Sequence, residues 1–165
     1  MNRQPTNEKT FVQYRTKFLL PGNIIVSRSP MLISTVLGSC VAVCLWDQKL
    51  RYGGMNHFMM DSWHGDNLPT ARYGDLAINK LIDQMINMGS NRLDLRAKVF
   101  GGAGIIEAGR NYNIGAKNIL LAITLLKSQD IRIIAENTGG YYGRNIKFYS
   151  DNGEVLMKFI QNYAI

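Results

Sequence analysis

Short apolar runs of strand length follow one another along most of this chain, with turn residues between them. The runs lie at 23–27, 31–37, 40–46, 52–60, 95–100, 131–136, 145–149 and 154–160. The segments that separate the early runs are rich in Pro, Gly, Ser and Asp, which favour turns. The pattern predicts a protein rich in β-structure, whose first third forms a meander of strands.

Two longer stretches have helical periodicity instead. From about Arg72 to Met88, apolar residues recur at a spacing of 3.6 residues, and Gly89 follows as a stop signal. From about Ala116 to Lys127 the chain is apolar almost all round, which predicts a well-buried helix. Strand clusters interrupted by two helices predict a mixed α/β fold, a layered sandwich with mixed β-sheets in the core and the two main helices packed outside.

The length and composition suit one globular domain. The chain has 165 residues, of which 46% are hydrophobic and 19% charged, so disordered, collagen-like and coiled-coil classes are excluded. Residues 1–10 are polar and are predicted to be a disordered tail, which leaves 11–165 as a single domain. No apolar run approaches the ~18 residues of a membrane span, and the N-terminal region lacks the apolar core of a signal peptide. We therefore expect a cytoplasmic protein without membrane insertion.

The formal charge of +7 favours anionic partners such as a nucleic acid, an anionic membrane surface or an acidic protein. The basic residues are scattered and form no nucleic-acid motif, so we expect no nucleic-acid binding. Cys40 and Cys44 are the chain's two cysteines. On a strand they would lie on one face about 13 Å apart, too far for a disulfide or for one metal ion. We therefore predict neither a disulfide nor a metal site.

The pair that could carry chemistry is Cys40 and His57. If a hairpin turn is centred at 48–49, Cys40 faces His57 directly, with the imidazole within reach of the sulfur. Such a neighbour activates a thiol, because only the thiolate attacks efficiently. The same register places Cys44 opposite Gly53, which suits a small buried hydrophobic residue. From the two residue types alone, a buried cysteine and an unrelated histidine remain the alternative.

The residues before the cysteine suit an exposed nucleophile. Gly38 and Ser39 form a flexible entrance to the strand, where backbone N–H groups could be aimed at a developing oxyanion. A third group would orient the imidazole, and the nearby hydroxyl candidates are Ser34 and Thr35. Because alternate residues of a strand point to opposite faces, only one of these two can contribute.

Several segments in a fixed order resemble a known family. They are "STVLGSCVAVCLWD", "GGMNHFMM", "KVFGGAG", "NIGAKN" and "AENTGGYYGRNIKFY". In this order, with the cysteine and histidine 17 positions apart, they resemble the CheD family, the chemoreceptor glutamine deamidases of bacterial chemotaxis.

The resemblance implies a cysteine hydrolase that converts selected chemoreceptor glutamines to glutamates and releases ammonia, without a cofactor. The nucleophile of the family maps to Cys40 and its base to His57. A family threonine six positions before the cysteine falls at Ser34, which we therefore prefer as the third residue, with Thr35 as the alternative. The residues expected to bind the oxyanion or the substrate are Gly38, Ser39, Gly101 and Gly102.

The resemblance also concerns fold and partners. The family fold is similar to the glutamine deamidase domain of a bacterial toxin, in agreement with the layered sandwich. The expected protein substrate is the cytoplasmic helices of a chemoreceptor, whose acidity would suit the basic chain, and a CheC-type phosphatase is a candidate second partner. We expect a monomer. The alternative function is a non-catalytic interaction module that binds receptors or the CheC-type phosphatase.

Overall fold

A computed structural model describes residues 11–104 and 113–161, so the predicted tail at 1–10 lies outside it. The described residues form nine strands, two α-helices and one short 3-10 helix. The strands are β1 (Arg15–Phe18), β2 (Ile24–Ser27), β3 (Met31–Leu37), β4 (Val41–Asp47), β5 (Tyr52–Asn56), β6 (Leu95–Gly101), β7 (Arg132–Thr138), β8 (Gly143–Tyr149) and β9 (Val155–Ile160). The α-helices are α1 (Gly74–Asn87) and α2 (Ile114–Ser128), and the 3-10 helix is Arg92–Asp94. Of the strands, only β1 has no counterpart among the predicted runs.

The strands form two mixed sheets, as predicted. The five-stranded sheet has the order β2-β5-β4-β6-β7, and the four-stranded sheet has the order β1-β3-β8-β9. The pairs β6–β7 and β1–β3 are parallel, and the other pairs are antiparallel. The predicted meander is wrong, because β3 leaves its sequence neighbours and joins the other sheet. Turn residues look the same whether the chain folds back within a sheet or crosses to a second one.

The five-stranded sheet is the middle layer of three. On one face, Val41, Val43 and Leu45 of β4 share a core with α1 and α2. On the other face, Ala42 and Cys44 pack against the four-stranded sheet. Alternate side chains of β4 thus pack into two different hydrophobic cores. Because both faces of the strand are buried, its run is continuously apolar. The layered sandwich with helices outside is confirmed.

The two helices lie close to their predicted bounds. Asn113 caps the N-terminus of α2, and its side-chain oxygen accepts a hydrogen bond from the Ala116 N–H at 3.3 Å. The helix was expected to be well buried, and this is wrong, since Leu120 is 68% exposed. Because α2 belongs to an outer layer, only one of its faces meets the sheet. Neither helix is long and apolar enough to cross a membrane, nor is any other helix within the described ranges.

Candidate active site

The candidate site lies where the chain crosses from one sheet to the other. Cys40 stands between β3 of the four-stranded sheet and β4 of the five-stranded sheet, and its side chain is half-buried against the core between the sheets. His57 directly follows β5 and is only 2% exposed. Both residues therefore sit at strand ends, which hold side chains more rigidly than a free loop would.

The expected direct pairing of Cys40 with His57 is wrong by two residues. Cys44 pairs with Met55, and a bridge joins Val41 to Phe58, so the β4–β5 ladder places Ala42 opposite the histidine. A shift of two residues preserves the face on which each side chain lies. Cys40 and His57 are thus diagonal neighbours on the face that meets the four-stranded sheet, and diagonal neighbours lie roughly 7–8 Å apart, with a somewhat shorter distance between their Cβ atoms.

The turn between β4 and β5 explains the shift. The last pair of the ladder is Asp47 with Tyr52, so the loop has four residues rather than two. The Asp47 carboxylate accepts hydrogen bonds from the N–H groups of Lys49 and Leu50, each at 2.8 Å, and Arg51 adopts a φ of 60°. An aspartate that binds two following N–H groups stabilises this wider turn.

Thr35 is the hydroxyl that contacts the histidine. Its Oγ1 lies 2.8 Å from His57 Nδ1 and 2.7 Å from the carbonyl oxygen of Leu19. The carbonyl can only accept, so the single hydroxyl hydrogen goes to Leu19 and the hydroxyl accepts from the ring. His57 therefore carries its proton on Nδ1, and its Nε2 keeps a free lone pair.

The preference for Ser34 as the orienting residue is not supported by the geometry. Burial alternates along β3, with Met31, Ile33, Thr35 and Leu37 facing inward and the residues between them half-buried. Ser34 faces away from the gap between the sheets, and no side-chain hydrogen bond from it occurs among the described residues. Leu32 and Val36 are also apolar, which hides this alternation in the sequence.

Burial sets the charge state of the site. It lowers the pKa of His57 to about 4, against a smaller opposing effect of the Leu19 carbonyl. Burial also raises the pKa of the Cys40 thiol, partly offset by its own backbone N–H. Both shifts favour the uncharged groups, so the resting site holds a neutral thiol and a neutral imidazole. Within the described part of the chain, His57 Nε2 is buried and has no hydrogen-bond partner.

Three successive carbonyl groups around the cysteine are held by neighbours. The Gly38 oxygen accepts from the Ala103 N–H at 2.9 Å, and the Cys40 oxygen accepts from the Gly102 N–H at 2.8 Å. The Ser39 oxygen accepts from Nδ2 of the Asn118 side chain at 3.1 Å. Apart from the contact of the Cys40 N–H with its own thiol, the N–H groups of Ser39 and Cys40 have no partner among the described residues, so they can serve an oxyanion.

The backbone of Gly101 and Gly102 packs against the backbone of Cys40. A Cβ at Gly101 would overlap the Cys40 carbonyl oxygen, and both glycines have a positive φ, of 110° and 70°. The Gly102 N–H is already engaged with Cys40, so it is not free to bind an oxyanion. The close approach of the two backbones explains why glycine is required here.

Sequence reasoning missed Asn118, the amide that holds Ser39. It lies in α2 in one buried row with Ala122 and Leu126 and is itself fully buried. A single polar residue in the inward row of an apolar helix was the available signal. Arg144 stabilises the β7–β8 turn, where its guanidinium donates to Asn137, Gly139 and Tyr142.

No cluster of three or more His, Cys, Asp or Glu side chains that could hold a metal occurs within 11–104 and 113–161. The site that remains is a half-buried thiol, a tautomer-fixed imidazole and two unengaged backbone N–H groups. Together with the three-layer sandwich, these groups define a candidate thiol-dependent hydrolase.

The chain belongs to the CheD family. The family model described as CheD chemotactic sensory transduction matches residues 59–159. A protein of Sulfurimonas denitrificans is 41% identical over 91% of this chain and 97% of its own length. Proteins of Trichlorobacter lovleyi and Rhodospirillum rubrum are each 44% identical, over 87% and 88% of this chain and 89% and 82% of their own lengths. All three bear the name probable chemoreceptor glutamine deamidase CheD.

Proposed function

We propose that this protein deamidates glutamine side chains of chemoreceptors to glutamates, with release of ammonia, and so tunes bacterial chemotaxis. The observation that carries the proposal is the Thr35–His57 hydrogen bond, which leaves Nε2 as a base on the same sheet face as Cys40. Membership of the CheD family and the names of its relatives support the substrate.

The acylation half of the reaction uses the thiol and the imidazole. His57 Nε2 takes the proton of the Cys40 thiol while the sulfur attacks the carboxamide carbon of the glutamine. The negative charge that forms on the amide oxygen is bound by the N–H groups of Ser39 and Cys40. The imidazolium then gives its proton to the nitrogen as the C–N bond breaks, so ammonia leaves and a thioester remains.

Hydrolysis of the thioester completes the cycle. His57 takes a proton from water, whose oxygen attacks the thioester carbon, and the proton passes to the departing sulfur. The products are a glutamate side chain and the free Cys40 thiol. The diagonal placement of the two residues leaves a gap that substrate binding must close, as catalytic hydrogen bonds often tighten only in the complex with substrate.

The neutral resting state shapes this mechanism. Burial favours the uncharged forms of Cys40 and His57, so the proton moves during the attack and not in a preformed ion pair. A neutral thiol is also less open to oxidation between turnovers, because the thiolate is the reactive form. Reactivity is thereby tied to the presence of substrate.

The proposed partners follow from the same function. The substrate is a receptor helix, and the formal charge of +7 favours encounter with acidic helices. Such helices lie in the cytoplasm, where we place the protein as a monomer that needs no cofactor. A CheC-type phosphatase is the second proposed partner.

Mass spectrometry of receptor peptides tests the proposal. Incubation with the protein should add about one mass unit at particular glutamines, and Cys40→Ala should abolish this gain while Cys44→Ala retains it. Cys44 is the matched control because it lies four residues after Cys40 on the same face of the sheet and is only 1% exposed. Full activity of Cys40→Ala would overturn the mechanism. Receptor binding without any deamidation would instead indicate the non-catalytic interaction module.

A further inference from the structure

The side chain of Asn118 joins α2 to both halves of the candidate site. Its Nδ2 donates to the Ser39 carbonyl at 3.1 Å and to the Met59 carbonyl at 3.0 Å. The first carbonyl directly precedes Cys40 in the chain, and the second lies two residues after His57. Both partners can only accept, so the amide nitrogen must face them. One fully buried side chain thus ties the nucleophile segment to the histidine segment.

The bond to Ser39 has a consequence for Cys40. The Ser39 carbonyl and the Cys40 N–H belong to one planar trans peptide unit and point in opposite directions. Any group that fixes the carbonyl therefore fixes the direction of the N–H. The Ala103 N–H holds the Gly38 carbonyl in the same way, which sets the direction of the Ser39 N–H. Both proposed oxyanion donors are aimed by contacts on the far side of their peptides.

We propose that Asn118 is a positioning residue, which aims the Cys40 N–H at the oxyanion by holding the Ser39 carbonyl. The inference rests on the proposed function. A donor on the carbonyl also polarises the peptide unit and strengthens its N–H as a donor to the oxyanion. The bond to Met59 keeps the histidine segment at a fixed distance from this peptide.

The unpaired oxygen of the same side chain supports a specific role. Asn118 Oδ1 is buried without a hydrogen-bond partner among the described residues, which is unfavourable in a protein interior. Its neighbours in the inward row of α2, Ala122 and Leu126, are apolar and carry no such penalty. The hydrogen bonds of its Nδ2 to the Ser39 and Met59 carbonyls offset this unfavourable burial.

Two reactions of Cys40 separate the proposal from a general structural role. Deamidation passes through an oxyanion, whereas alkylation of the thiol by iodoacetamide forms none. Asn118→Ser and Asn118→Leu should lower kcat for deamidation of a receptor peptide by roughly 10-fold or more, toward the loss seen when an oxyanion donor is removed. The KM and the alkylation rate of Cys40, followed from pH 6 to 10, should stay within about threefold of wild type.

Asn113→Ala is the matched control, because Asn113 caps the same helix and touches neither carbonyl. It should lower Tm and leave kcat unchanged. Asn118→Gln, which keeps the amide one methylene further out, should recover part of kcat. Asn118→Ala, which removes the amide without adding a buried charge, gives the same comparison if the Ser and Leu variants do not fold.

Two results would overturn the inference: an unchanged kcat in the Asn118 variants, or a parallel loss of deamidation and alkylation. Cys40→Ala, assayed alongside, tells the two proposals apart. If Cys40→Ala keeps its activity, the proposed mechanism fails. If it is inactive while the Asn118 variants match wild type, the mechanism stands and only the positioning role fails.

Discussion

Thr35 Oγ1 and His57 Nδ1 lie 2.8 Å apart, although Thr35 belongs to the four-stranded sheet and His57 follows a strand of the five-stranded sheet. The packing of one sheet on the other therefore sets the orientation of the histidine. Because Thr35 donates its single hydrogen to Leu19, the bond also fixes which ring nitrogen is free. The intersheet core is thus part of the catalytic apparatus that we propose.

Removal of this hydroxyl should lower activity. Thr35→Val keeps the shape of the side chain but cannot accept the Nδ1 proton, so the ring loses its preferred tautomer. We expect kcat for receptor-peptide deamidation to fall by roughly 10-fold or more. Thr35→Ser retains the hydroxyl and should keep most of the activity. Mass-spectrometric rates at saturating peptide measure both variants.

Ser34→Ala is the control for the threonine variants. Ser34 is adjacent to Thr35 in sequence but faces away from the gap between the sheets. The kcat of the Ser34→Ala variant should therefore stay within about twofold of wild type. Equal losses in Ser34→Ala and Thr35→Val would contradict the assignment of Thr35.

The thiol should react slowly at neutral pH. Burial raises the pKa of Cys40 and lowers that of His57 to about 4, so no thiolate–imidazolium pair forms at rest. The rate of Cys40 alkylation should therefore keep rising with pH through and above about 8.5, the ordinary pKa of a thiol. Peptide mapping after iodoacetamide treatment reads the two cysteines separately, and Cys44, buried in the core, should stay unmodified. A pH-independent rate between pH 5 and 8 would indicate a preformed ion pair.

Local periodicity predicted the elements well because it reports which faces are buried. The run at 31–37 coincides with β3, and both helices fall within two residues of their predicted starts and ends. Periodicity carries no information on which sheet a strand joins, so the crossing of β3 into the second sheet was missed. That crossing is what brings Thr35 to His57.

The site was predictable in its residue types but not in its register. Cys40 and His57 could be proposed because an imidazole can activate a thiol and because the predicted hairpin places both side chains on one face of the sheet. Their diagonal placement depends on how Asp47 folds the turn, a choice between loops of two and four residues that composition does not decide. Asn118 acts on a residue 79 positions away in the chain, and no local pattern indicates a contact at such a distance.

The histidine should make the protein less stable in mild acid. Its pKa is about 4 in the folded chain and 6.5 in the unfolded chain, so between these values the unfolded state binds more protons. The stability that comes from keeping His57 neutral is fully present above pH 6.5 and is lost as the pH falls toward 4, by at most roughly 3–4 kcal/mol. Urea unfolding at several pH values measures this loss. His57→Gln should flatten the curve in that window, while His64→Gln, in an exposed loop, should not; identical curves for wild type and His57→Gln would contradict the prediction.

The two glycines at 101 and 139 offer a test of the backbone contact beneath the nucleophile. Both have a positive φ, but a Cβ at Gly139 meets nothing within 4 Å, whereas one at Gly101 overlaps the Cys40 carbonyl. Gly139→Ala should therefore lower the free energy of unfolding by about 1–2 kcal/mol through backbone strain alone. Gly101→Ala adds the displacement of the Cys40 segment and should cost more than about 3 kcal/mol. Urea unfolding compares the two variants, and equal losses would show that the Cys40 segment yields without cost.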